Sequence, residues 1–102
     1  MKGKLVRDRI PEIIEKNDKR KPRTKTLSLR EFERELRKKL VEEAAEAAKA
    51  RRSDLAEELA DIEEIIDTLC KIYTLKRSTI TKVQKIKRVK RGGFKDRIFL
   101  IS

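Results

Sequence analysis

The sequence has no histidine, no tryptophan, a single cysteine, two prolines, three glycines and only four aromatic residues in 102. Without histidine, the carboxylate-bridged iron bundles that pair Glu with a Glu-x-x-His motif are excluded, and zinc loses its nitrogen ligands. The same absence removes the usual general base of a nucleophilic site, and no dyad surrounds Cys70. A lone cysteine excludes an internal disulfide and a cysteine-bound metal. Flanked by Leu69 and Ile72 in an apolar-periodic stretch, Cys70 reads as a small packing residue. So few aromatics leave little on which to stack nucleic-acid bases. No apolar run approaches a membrane span, and the opening Met1-Lys2-Gly3-Lys4-Leu5-Val6-Arg7-Asp8 reaches charge too soon for a secretory signal. The expectation is a cytoplasmic protein with no membrane partner.

What the chain has instead is charge: 46% of its residues are Asp, Glu, Lys or Arg, with a net charge of +11. The charge is segregated. Residues 1–27 carry ten basic and four acidic side chains, residues 28–75 nine and thirteen, and residues 76–102 ten and one. An acidic middle between basic arms suits a cation bound to a polyphosphate, with carboxylates on the metal and Lys and Arg on the phosphates. A uniformly basic protein would point first to nucleic acid.

The apolar residues recur at helical spacing, which argues for folded amphipathic helices and against disorder. A chain this short buries a modest core, so one domain over residues 1–102, completed by oligomerisation, is expected. Pro11 suits the first turn of a short helix from Arg9 to Asn17, with Ile10, Ile13 and Ile14 inward. The basic segment Lys19–Thr26 reads as a solvated loop. Ser28-Leu29-Arg30-Glu31 is a capping box opening a helix that runs to Ala50. Its seam, Leu29, Phe32 and Leu36, continues to 39, 43, 46 or 47, and 50. A third helix opens at Ser53 or Asp54, and its Leu55, Leu59, Ile62, Ile66, Leu69 and Tyr73 form a heptad seam. The short turn around Arg51–Ser53 predicts an antiparallel hairpin. A last basic helix starts after Ser78 or Thr79, with Ile80, Val83, Ile86 or Lys87, and Val89 inward, and ends at Gly92 as a left-handed cap. The apolar tail Arg97–Ile101 reads as a short strand or an extended segment packed on the bundle. The fold class expected is all-α: a helical hairpin with two shorter helices, forming a four-helix-bundle core shared between copies.

Four carboxylates stand out on this scaffold. Glu43 with Glu46, and Glu58 with Asp61, are i,i+3 pairs, so each pair shares a helix face. They occupy or border the apolar seams, and the hairpin would bring them opposite one another among the small residues Ala44, Ala45, Ala47 and Ala48. Carboxylates so placed must be paired, protonated or bound to metal. The plainer account is a solvated charged face. An all-oxygen donor set favours Mg²⁺, with Mn²⁺ as the alternative, and Mg²⁺ is commonly shared with substrate phosphates. A water made acidic by the ion and oriented by a spare carboxylate such as Glu42 can attack phosphorus. Lys85, Arg88 and Arg91 at i, i+3, i+6, together with Arg7, are candidates for the phosphates.

Glu42-Glu43-Ala44-Ala45-Glu46 followed by Glu58-Leu59-Ala60-Asp61 resembles the Glu-Glu-x-x-Glu and Glu-x-x-Asp signature of the MazG-like, all-α nucleoside triphosphate pyrophosphohydrolases. The opening Lys4–Ile14 and the closing Lys90-Arg91-Gly92-Gly93-Phe94 resemble a phosphoribosyl-ATP pyrophosphohydrolase-like subgroup of it. The resemblance spans nearly the whole chain. It implies Mg²⁺-dependent hydrolysis of a nucleoside triphosphate between the α and β phosphates by a homodimer or homotetramer, with Glu43, Glu46, Glu58 and Asp61 as metal ligands. The catalytic group would then be Glu42, Glu43 and Glu46. Hydrolysis of phosphoribosyl-ATP is the alternative within the same chemistry, and a basic, non-catalytic nucleic-acid-binding protein is the rival from another class.

Overall fold

The computed structural model of the chain describes residues 3–102, and all regular structure among them is helical. Helix α1 spans Ile10–Asp18, α2 Leu29–Lys49, α3 Leu55–Ile72 and α4 Arg77–Arg91, with one 3-10 turn, Arg52–Asp54, between α2 and α3.

The ends of these helices follow their local chemistry. Pro11 sits in the first turn of α1, and Lys19 closes that helix in the left-handed region at φ 52°. Ser28 caps α2 with both halves of the capping box. Its hydroxyl accepts from the Glu31 N–H at 3.2 Å, and its own N–H donates to Glu31 Oε1 at 3.0 Å. The Ser28 N–H on the carboxylate, and after it the Ser28 hydroxyl, hold the Glu31 carboxyl below the usual range. At the end of α3, the Leu75 N–H reaches the Cys70 carbonyl at 2.8 Å and the Thr74 N–H the Lys71 carbonyl at 3.4 Å. This is a Schellman closure, built on Thr74 at φ 52°. Helix α4 begins at Arg77, earlier than Ser78 or Thr79. Gly92 ends it at φ 80°, ψ 178°, an extended conformation open to glycine, in place of the left-handed helical cap expected.

Helices α2 and α3 pack on each other. Arg37, early in α2, donates to the Tyr73 hydroxyl just past the end of α3 at 3.0 and 3.2 Å. Glu43, further along α2, meets Glu58 near the start of α3. The buried core is small: Leu36 of α2 with Ile65 and Cys70 of α3. Around it, Phe32, Leu40, Ala47 and Ala50 on α2 and Ile62, Ile66, Leu69 and Ile72 on α3 are half-buried. Cys70 is the buried packing residue its neighbours implied.

Four expectations of the packing are corrected. The heptad seam of α3 is not the line of deepest burial. Leu55, Leu59 and Tyr73 remain 37%, 48% and 42% exposed, while Ile65 is buried. The large apolar residues of this helix form one broad stripe, and periodicity alone does not choose which edge of it packs deepest on α2. Helix α4 turns only Ile80 inward, leaving Val83, Ile86 and Val89 exposed. The tail is neither a strand nor packed, with Phe94, Ile98, Phe99, Leu100 and Ile101 all at least 84% exposed. On α1, Ile10 and Ile14 are half-buried and Ile13 is exposed.

Candidate metal centre

Three of the four paired carboxylates converge. Glu43 of α2 and Glu58 and Asp61 of α3 each offer an oxygen within 4.8 Å of the others, and all three are half-buried. The i,i+3 spacing aims Glu58 and Asp61 at one spot, and the packing of α2 on α3 delivers Glu43 to it. Glu46 lies outside the group. Its side chain is 54% exposed and its Oε1 stands 3.5 Å from Lys49 Nζ. Of the two seam continuations left open, 46 or 47, the structure half-buries Ala47 and leaves Glu46 exposed.

The electrostatics are those of an under-neutralised site. The Glu58 carboxyl is raised above the usual range, first by desolvation and then by repulsion from Asp61, Glu43, Glu46 and Asp54. Cations reach its neighbours: Arg7 Nη2 lies 2.6 Å from Asp61 Oδ1, and Lys39 Nζ 3.7 Å from Glu43 Oε1. Glu58 has no ion pair among the described residues. Lys39 was not singled out from the sequence, although its i,i+4 spacing to Glu43 carried the signal.

The other candidates are distributed. Arg7 is at the centre, held on Asp61. Glu42 lines a water-sized cleft of about 30 Å³ between the N-terminal segment and α2, with Gly3, Lys4, Leu5, Glu35, Lys38 and Lys39. Lys85, Arg88 and Arg91 are exposed on α4 and form no ion pair with the carboxylates.

The donor set fits a hard divalent cation. It is all carboxylate oxygen, and Mg²⁺ takes such ligands at about 2.0–2.1 Å in an octahedron whose opposite oxygens lie about 4 Å apart. A separation within 4.8 Å therefore closes onto an ion by side-chain adjustment alone. A cation there would relieve the repulsion that raises the Glu58 carboxyl.

Compared with models of known protein families, with curated proteins and with solved structures, the chain matches none.

Proposed function

We propose that this chain is a Mg²⁺-dependent nucleotide pyrophosphohydrolase of the MazG-like kind, cleaving a nucleoside triphosphate between its α and β phosphates to a monophosphate and pyrophosphate. The observation that supports the reading is the meeting of Glu43, Glu58 and Asp61 from two helices within 4.8 Å.

In this proposal Glu43, Glu58 and Asp61 hold Mg²⁺, with Glu46 one turn from Glu43 as an additional ligand that must first leave Lys49. The ion, when bound, offsets the negative charge of the reacting phosphates and acidifies a water. Glu42 accepts that water's proton or orients it. Arg7 transfers its guanidinium from Asp61 to a phosphate oxygen when substrate arrives, since both are oxyanions suited to its planar fork. Lys85, Arg88 and Arg91 on α4 neutralise the outer phosphates, and Mn²⁺ substitutes for Mg²⁺ in the same oxygen cage. Helices α2 and α3 form an antiparallel hairpin, and a second or further copies complete the four-helix core and the walls around the substrate.

The test is pyrophosphate release from a panel of standard and modified nucleoside triphosphates, and from phosphoribosyl-ATP, with Mg²⁺ present. Turnover that disappears in Glu58→Gln is expected. No release from any substrate, or release unchanged in the variant, would end the proposal.

A further inference from the structure

Of the two cations at the carboxylate group, only Arg7 is hydrogen-bonded there, with Nη2 donating to Asp61 Oδ1 at 2.6 Å. Lys39 Nζ stands 3.7 Å from Glu43 Oε1, beyond the about 2.7–2.9 Å of a charge-assisted hydrogen bond. An ammonium carries three donors, and Lys39 uses none of them among the described residues. It is also the most sheltered cation among the ion pairs of the described residues. Its side chain is 26% exposed, whereas every other paired cation is at least 43% exposed. Shelter costs an ammonium part of its hydration, and a loose pair returns little of it.

The direction of Lys39 is informative as well. Glu35 and Glu42 stand at i−4 and i+3 from it, within reach on the same helix, yet its pair is with Glu43, the α2 member of the converging group. The charge is thus aimed at the centre. One short stretch of chain borders both cations: Gly3, Lys4 and Leu5 line the cleft with Lys39 and Glu42, and Arg7 follows Leu5 by two residues, at most about 7 Å of chain. A guanidinium and an ammonium therefore stand beside the same three acids, Glu43, Glu58 and Asp61.

We propose that Lys39 binds substrate: with Glu43 committed to a divalent cation, its ammonium donates to a free oxygen of the phosphate that shares that cation, beside the Arg7 guanidinium. The ligand class selected is a polyphosphate carrying its own divalent cation. A phosphodiester, with two free oxygens and a single charge, cannot serve the cation, Arg7 and Lys39 together. This role rests on the metal site of the pyrophosphohydrolase reading and adds to it the residue that recognises the metal-borne phosphate.

The experiment measures binding by full-length chain, with imidodiphosphate as a diphosphate that carries no base and resists hydrolysis, titrated calorimetrically in excess Mg²⁺. The parent should bind it, and should not bind dimethyl phosphate. Lys39→Met should weaken diphosphate binding at least ten-fold, Lys39→Arg by less than about three-fold, and Lys38→Met, in the same cleft, by less than two-fold. Affinity for Mg²⁺ alone should not fall in Lys39→Met. In the unsubstituted chain, acetylation of Lys39, read by mass spectrometry, should slow at least five-fold when Mg²⁺ and imidodiphosphate are added together, with Lys38 unaffected. Equal diphosphate affinity in Lys39→Met and parent, an unprotected Lys39, or a parent that binds no diphosphate would overturn the role. So would an equal loss of affinity for Mg²⁺ alone, which would make Lys39 a positioning residue for Glu43. Diphosphate binding that needs Lys39 in a chain releasing no pyrophosphate would sustain the role and end the catalytic reading. Pyrophosphate release with an unchanged KM in Lys39→Met would do the reverse.

Discussion

Arg7, in the segment before α1, donates from Nη2 to Asp61 Oδ1 on α3 at 2.6 Å, joining residues 54 apart in sequence. Both side chains are about half exposed, at 54% and 41%, so the pair contributes at most about 1 kcal/mol to stability. Its importance is positional, because the guanidinium occupies an oxygen that a metal would use.

Arg7→Ala should therefore change folding stability by no more than about 1 kcal/mol while changing binding in two directions. Without nucleotide, Mg²⁺ should bind a few-fold tighter by calorimetry, since Asp61 no longer has to exchange its partner. With a triphosphate substrate, KM should rise about ten-fold, the equivalent of one charge-assisted contact. Mg²⁺ binding weakened by the substitution would contradict this role.

The raised Glu58 carboxyl gives a pH dependence of definite sign. A carboxyl whose folded-state value lies above its unfolded value favours the folded chain when protonated. That contribution is present below the unfolded value and is lost as pH rises through the folded one. Metal-free Glu58→Gln should thus melt higher than the parent at pH 7, and the difference should shrink as pH falls through the raised value and be gone below the ordinary carboxylate range. Added Mg²⁺ should raise the melting temperature of the parent and leave the variant nearly unmoved.

Glu43 and Glu46 look equivalent in sequence and are not equivalent in place. Glu43→Gln should lower Mg²⁺ affinity more than ten-fold. Glu46→Gln should lower it by less than about three-fold, because Glu46 sits outside the converging oxygens beside Lys49. Equal losses, measured by titration calorimetry, would show that Glu46 holds the ion as firmly as Glu43.

Thr74 adopts φ 52° at the closure of α3, a region that a β-branched residue enters at a cost. Thr74→Gly should stabilise the chain by about 1 kcal/mol, read as a higher denaturation midpoint with unchanged slope. A loss of stability would mean that the entropy given back to the unfolded chain outweighs the relieved strain.

Local signals were legible wherever the chemistry is itself local. The Ser28 capping box marked the start of α2 to the residue, and Pro11 marked α1. The i,i+3 spacing marked four carboxylates, of which Glu43, Glu58 and Asp61 are brought together. The rotation of α3 against α2 was not legible, because Leu55, Leu59, Ile62, Ile65, Ile66 and Leu69 form one broad apolar stripe, about 120° wide, and which edge of it packs deepest is decided by the facing helix. The same ambiguity left 46 and 47 open on α2, and their difference of about 100° around the axis places Glu46 outside the group and Ala47 against the neighbouring helix.

By itself, then, the sequence determined the helices, their caps and the supply of closely spaced carboxylates, since each depends on residues within a turn or two of one another. Only the tertiary structure decided which acids meet, that Arg7 and Lys39 attend them, and that the basic arm stands free of its own core. Those outcomes depend on how one helix is rotated against the next, a choice made by the packing of whole faces and not by any short stretch of chain.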